Sequence, residues 1–104
     1  MVLASLEYDR DVWRVGDDFH CGLWIVNDHW YAIPGARIRC QIVDSSGAAR
    51  SRGELGVNIA EDSSTKLQEI QWKAATAGKY ELRAEVFDRD GNRLSENVYE
   101  FEVK

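Results

Sequence analysis

The sequence predicts an all-β fold, an immunoglobulin-like β-sandwich of about seven antiparallel strands. Three observations carry that prediction. Apolar and polar residues alternate at period two in run after run, as half-buried strands do. The runs are separated by Gly, Asp, Asn and Ser, the residues of tight turns. No segment keeps a helical period. The 104 residues suit one domain of this kind, read as spanning 1–104, because about seven short strands fill about 100 residues in such sandwiches. A five-stranded small barrel is the competing architecture, and it leaves two of the predicted strands unplaced.

In chain order, the first strand is expected from Val2 to Tyr8, and Gly16-Asp17 separates it from a second, Phe19 to Val26. The loop Asp28-His29-Trp30-Tyr31 follows and is closed by Pro34-Gly35. Ala36 to Val43 shows the clearest alternation, with Ala36, Ile38, Cys40 and Ile42 on one face and Arg37, Arg39 and Gln41 on the other. Asp44-Ser45-Ser46-Gly47 ends it. Leu55, Val57 and Ile59 mark the next strand. Leu67 to Trp72 gives another, with Ile70 and Trp72 as its core candidates. Tyr80 to Phe87 turns Tyr80, Leu82, Ala84 and Val86 inward. Asp90-Gly91 makes the hairpin to the last strand, where Tyr99, Phe101 and Val103 point in. Tyr80, just after Gly78, has the position of a tyrosine corner.

The two sheets differ in their expected outer faces. If Ala36–Val43 and Tyr80–Phe87 are neighbours, Arg37 and Arg39 come near Glu81 and Glu85, which makes a charged, watery face. Phe19–Val26 is apolar on both faces. Leu3, Trp24, Val26 and Leu67 are expected on the outside of that sheet, as an apolar patch of the sort that marks a binding surface.

Composition excludes several function classes. Hydrophobic residues make 44% and charged residues 30% of the chain, and the net charge is −5 with both signs interspersed. No clustered basic face points to nucleic acid. No apolar run approaches the ~20 residues of a membrane span, and Met1–Tyr8 lacks the basic start and apolar stretch of a signal peptide. No cofactor motif, metal-ligand spacing or catalytic pair is present, so no cofactor, no metal and no catalytic residue are expected. Asp88-Arg89-Asp90-Gly91-Asn92 reads as a hairpin turn; a calcium loop needs Gly at its sixth position and Glu at its twelfth, where this chain has Arg93 and Tyr99. His20 reads as a surface strand residue and His29, beside Asp28, as a loop residue. Cys21 and Cys40 both fall on inward faces. Free thiols and an inter-sheet bridge both fit that placement, and free thiols are the favoured reading.

The aromatic residues are the informative ones. Trp30 and Tyr31 sit together in the loop after the second strand. Rings there can dock on a neighbouring domain, cap the domain's own core, or stack on the C–H face of a sugar. Trp30, Tyr31 and Trp24 are therefore the candidate carbohydrate or domain contacts. Trp13 is expected to cap the core and Trp72 to be the core tryptophan.

Trp13-Arg14-Val15-Gly16-Asp17-Asp18-Phe19, followed by Leu23-Trp24-Ile25-Val26-Asn27-Asp28, resembles the accessory β-sandwich domain of glycoside hydrolase family 2 enzymes, the β-galactosidase and β-mannosidase group. The Gly78-Lys79-Tyr80-Glu81-Leu82 strand fits the same layout. The resemblance implies a non-catalytic module of a sugar-cleaving enzyme, whose acid and nucleophile glutamates lie in a separate barrel domain. No carboxylate of this chain matches those motifs. Asn27 and Asp28 match the accessory domain's own pattern and are read as loop-structuring residues bonded to nearby backbone. The expected partners are other domains of a larger enzyme, met through the apolar sheet face, with carbohydrate at the aromatics. The alternatives are a free-standing protein-interaction module such as a proteinase-inhibitor-like sandwich, and a carbohydrate-binding module working alone.

Overall fold

A computed structural model describes residues 1–104. It contains eight strands and no helix: β1 (Val2–Glu7), β2 (Val12–Trp13), β3 (Asp18–Asn27), β4 (Ile33–Asp44), β5 (Ala49–Ile59), β6 (Ser63–Lys73), β7 (Gly78–Phe87) and β8 (Arg93–Val103). One sheet has the order β1-β3-β6 and the other β2-β8-β7-β4-β5. Their inner faces enclose one core, and the fold is the expected immunoglobulin-like sandwich. The additional strand is β2. It pairs in parallel with the end of β8, Val12 with Glu102 and Trp13 with Val103. Two residues are too few to show an alternation, and their partner lies at the far end of the chain.

The core corrects the ranking of the tryptophans. Trp13 is the fully buried one, 2% exposed, while Trp72 is half-buried. The cause is strand position. β2 closes one side of the sandwich over Phe19 and Tyr99, whereas β6 is an edge strand whose inward residues look out through the opposite, open side. Ile70 and Trp72 still pack against the core as expected. Trp13, Phe19, Tyr80, Tyr99 and Phe101 fill one end of it, with ring centroids 4.5 Å apart for Phe19–Phe101 and 4.9 Å for Trp13–Phe19. Ile25, Ala36, Ile38, Ile59 and Val86 fill the other end. The Tyr80 hydroxyl donates to the Thr76 carbonyl at 2.6 Å, closing the tyrosine corner.

The β4–β5 and β7–β8 hairpins use one turn design. Gly47 and Gly91 take φ of 86° and 85°, and their N–H groups donate to the carbonyls of Asp44 and Asp88. The Asp44 carboxylate accepts from the N–H groups of Ser46 and Ala48, and that of Asp88 from Asp90 and Asn92. Both carboxyls are held below the usual range, chiefly by the Ser46 hydroxyl, which donates to Asp44, and by the Asn92 N–H, which donates to Asp88. Of the Asp90-Gly91 pair, Gly91 alone takes a positive φ. The loop is a type I turn followed by a left-handed glycine, rather than a two-residue turn.

Pro34 and Gly35 lie inside β4 instead of in the preceding loop. They form a bulge where the register jumps from Ile33↔Ile59 to Ala36↔Val57. A bulge tolerates the missing proline N–H, and Gly35, at φ 67°, donates its own N–H to Asn58 Oδ1 at 2.9 Å.

The outer face of the larger sheet is charged, as expected, but its ion pairs run differently. Arg37 bonds Glu54 of β5 at 2.9 Å, Arg83 takes Glu81 and Arg93 takes Glu85. Arg39 faces Glu85 in register, yet its guanidinium lies over the Phe87 ring, 5.0 Å from the centroid. On the smaller sheet, Leu3, Trp24 and Val26 form a half-buried apolar strip. Leu67 is not part of it. A register shift at Leu23/Trp24 turns Leu67 inward against the core.

Cys21 and Cys40 are both buried free thiols. Burial pushes the Cys21 thiol up to about 12 and the Cys40 thiol up to about 11. The thiolate is the reactive form. Neither cysteine therefore reacts with an aromatic disulfide reagent at pH ~8 while the chain is folded, and both react once it is unfolded in denaturant without reductant. A single labelled thiol, or none, on the unfolded chain refutes this.

Candidate functional site

The candidate site is the end of the sandwich where β3 passes to β4. Asn27 organises it. Asn27 is the one buried polar side chain, 1% exposed. Its Nδ2 donates to the carbonyls of Tyr31 and Ala60, both at 3.1 Å, and its Oδ1 accepts from the His29 N–H at 3.0 Å. The His29 carbonyl in turn accepts from the Asp62 N–H at 2.9 Å. Asn27 and His29 thereby tie the start of the loop to the β5–β6 turn, and Asn27 holds its Tyr31 end. The loop-structuring role expected of Asn27 is present. Asp28 differs, since its carboxylate meets the amino group of Met1 instead of neighbouring backbone N–H groups.

On this pinned loop Trp30 is 87% exposed and Tyr31 is 49% exposed. Trp30 does not cap the core. The Tyr31 ring stacks on His29, centroids 4.7 Å apart at 16°, and meets the Trp30 ring edge-on at 6.1 Å. Beside them lies a depression of about 430 Å³ lined by His29, Tyr31, Pro34, Arg89, Asp90 and Leu94, among others. Apolar surface from the loop and from Leu94 thus meets charged groups from the β7–β8 hairpin. Trp24 is not brought to this site. It sits on the outer face of the smaller sheet, where its Nε1 donates to Glu7 Oε1 at 3.2 Å. Glu7, Lys66, Glu69 and His20 form a chain of charged contacts on that face, so only part of it is apolar.

Arg89, Asp90 and Leu94 escape a sequence reading because the strand order, and not local spacing, carries the β7–β8 hairpin to the Trp30 loop. Another depression, about 550 Å³, lies at the opposite end, lined by Asp11, Asp44, Lys79, Glu81, Arg83 and Glu100, with neighbours. It presents charged side chains but no exposed aromatic ring, and for that reason the Trp30 end is preferred. The chain brings no three His, Cys, Asp or Glu side chains together as a metal-binding set.

Residues 20–103 match the family model of the mannosidase Ig/CBM-like domain. The chain belongs to the mannosidase Ig/CBM-like domain family. The family resemblance read from Trp13–Phe19, Leu23–Asp28 and Gly78–Leu82 is therefore borne out, and the match takes in the last two of these segments. No curated protein sequence matches this Ig/CBM-like domain. Among solved structures, it is similar to a CARDB domain from Pyrococcus furiosus solved in complex with di-metal ions, with a TM-score of 0.71 and 17% identity over 96% of this chain and 93% of that one. It is also similar to part of a β-glucuronidase from glycoside hydrolase family 2, with a TM-score of 0.68 and 14% identity over 98% of this chain and 11% of that one. A family 123 glycoside hydrolase from Clostridium perfringens gives 0.58 and 11% identity over 99% of this chain and 27% of that one. The Ig/CBM-like domain thus spans 11% and 27% of those two hydrolases. At such identities the likeness shows the shared sandwich fold.

Proposed function

We propose that this domain is a non-catalytic accessory module of a glycoside hydrolase, which leans on the catalytic domain and lends its Trp30–Tyr31 end to carbohydrate. The observation that carries the reading is Trp30, 87% exposed on a loop that Asn27 holds in place. A large ring kept in water forgoes a burial worth ~1.5–3 kcal/mol. Here the loop geometry holds the ring outward, ready to bury that surface against a ligand. An indole face suits the C–H face of a pyranose, and Arg89 and Asp90 stand nearby as hydrogen-bonding groups for its hydroxyls. The Leu3–Trp24–Val26 strip is the surface assigned to the catalytic domain. Family membership supports the reading, and so does the appearance of the same sandwich as a small fraction of two glycoside hydrolases.

The test is a titration of the chain with β-linked oligosaccharides, manno-oligosaccharides first, followed by tryptophan fluorescence and calorimetry. Trp30 is the one tryptophan in full contact with solvent, so its emission shifts on binding. Trp30→Ala abolishes the response and weakens binding at least ~10-fold, the factor that ~1.4 kcal/mol represents, while the melting temperature stays unchanged. A flat titration with every oligosaccharide, or equal binding by Trp30→Ala, overturns the carbohydrate role.

A further inference from the structure

One side of the sandwich is closed by β1 and β2 around β8; the other is open. There β5 and β6 are both edge strands, each 11 residues long, with a small cleft of about 170 Å³ between them. The two edges are not alike. A register shift interrupts β6 at Lys66–Gln68, and a bulge is one of the ways in which an edge is protected from pairing. β5 runs against β4 without a break from Ser51 to Val57, with no proline and an open row of backbone donors and acceptors. A regular exposed edge is a template for an added strand.

The charges on the outer face say what kind of strand fits. Read across the sheet, Glu85 of β7, Arg39 of β4 and Glu54 of β5 stand side by side. The signs run minus, plus, minus; Glu54 bonds Arg37 through Oε1, its Oε2 has no partner within the chain, and the next strand should supply a further plus. Two residues away, Arg52 faces Gln41 and makes no ion pair within the chain, so its side of the next strand should supply minus. Gly53 lies between Glu54 and Arg52, and space around it is open. A second β5, laid antiparallel about a two-fold axis at Gly53, meets both demands at once. Arg52 of each copy then faces Glu54 of the other. We infer that the free edge of β5 is a self-association surface, and that two copies of this chain join their five-stranded sheets through it.

The pairing is isologous, as closed homodimers are. Its opposite-charge pairs are the favourable kind across strands. A single added strand buries little surface, so the dimer belongs to the weak class and forms in the ~10 µM to ~1 mM range. This proposal is independent of the carbohydrate role, since the Trp30 end is not part of the edge.

Sedimentation equilibrium over that concentration range tests it. The wild-type chain shows a monomer–dimer equilibrium. Arg52→Glu places four carboxylates together at the axis and Glu54→Arg places four guanidiniums there. Each variant alone weakens association at least ~10-fold, because like charges across an interface are strongly unfavourable. An equimolar mixture of the two variants associates again, as a heterodimer, and the double variant R52E/E54R, which is self-complementary once more, also dimerises. The two side chains are exposed, so the variants fold, as circular dichroism will show. A wild-type chain that stays monomeric at ~1 mM overturns the inference. So does a dimer that neither single variant weakens, or a mixture that fails to associate.

Discussion

Trp13→Ala lowers the stability of the folded chain by about 3–5 kcal/mol, the usual cost of emptying a fully buried aromatic site. Sandwiches of this size hold only ~5–15 kcal/mol in total, so the variant has a sharply reduced urea midpoint. The size of the loss follows from the position of the ring. The Trp13 ring points inward from β2, tilted against Phe19 at 4.9 Å, with its Nε1 donating to the Tyr99 hydroxyl at 3.4 Å. That hydroxyl in turn donates to the Arg10 carbonyl. Truncation removes the packing and loosens the join between β2 and β8 together. Trp72→Ala costs less, about 1–3 kcal/mol, because its ring is already partly in water and loses less buried area. Urea unfolding of both variants settles the order. If Trp72→Ala is the more damaging, the assignment of Trp13 as the core tryptophan falls.

Asn27→Ala is the second large effect, about 2–4 kcal/mol. The side chain makes three bonds to backbone, and its loss strands buried donors and acceptors at ~1–3 kcal/mol each where water does not reach them. The consequence reaches the candidate site, because the Tyr31 carbonyl is one of the groups released. The Trp30–Tyr31 loop then becomes mobile, seen as faster hydrogen exchange in residues 28–32, and binding through it weakens as well. Asn27→Asp separates the hydrogen bonds from the packing. An ionised carboxylate cannot donate to the two carbonyls that Nδ2 serves, so the folded state favours the protonated acid and raises its pKa above the unfolded value. The sign follows from linkage. A carboxyl with a raised folded pKa lends stability at low pH and withdraws it as the pH rises through that value. Asn27→Asp is thus nearer to wild type at pH ~4 than at pH ~7, when the two proteins are compared at each pH. Equal deficits at the two pH values refute the role given to Nδ2.

Most of the fold is legible in the residues, and the reason is local. Alternation at period two depends only on which side chains a strand buries, and it is plain in Ala36–Val43 and Tyr80–Phe87. The tyrosine corner is legible too, since Tyr80 and its acceptor Thr76 lie four residues apart. The departures occur where the deciding partner is remote or where an extra residue enters a ladder. β2 owes its existence to the end of β8. Leu67 changes faces through one register shift, and Pro34-Gly35 enters β4 as a bulge. Arg37 finds Glu54, not a β7 carboxylate, since β5 runs along its other side.

The candidate site divides in the same way. Trp30, Tyr31 and the bonding role of Asn27 are visible in sequence, because a loop's aromatic pair and its anchor are neighbours along the chain. The Arg89–Asp90 wall, the separation of Trp24 from the Trp30 loop, and the free edge of β5 with its Arg52–Glu54 pattern all depend on strand order. By itself the sequence determines that the chain alternates into strands, where it turns, and which residues seek the interior. The tertiary structure decides which strands are edges and which loops meet at one end. Burial preference acts on each residue separately, whereas adjacency in a sheet is settled by long-range pairing of segments far apart in the chain.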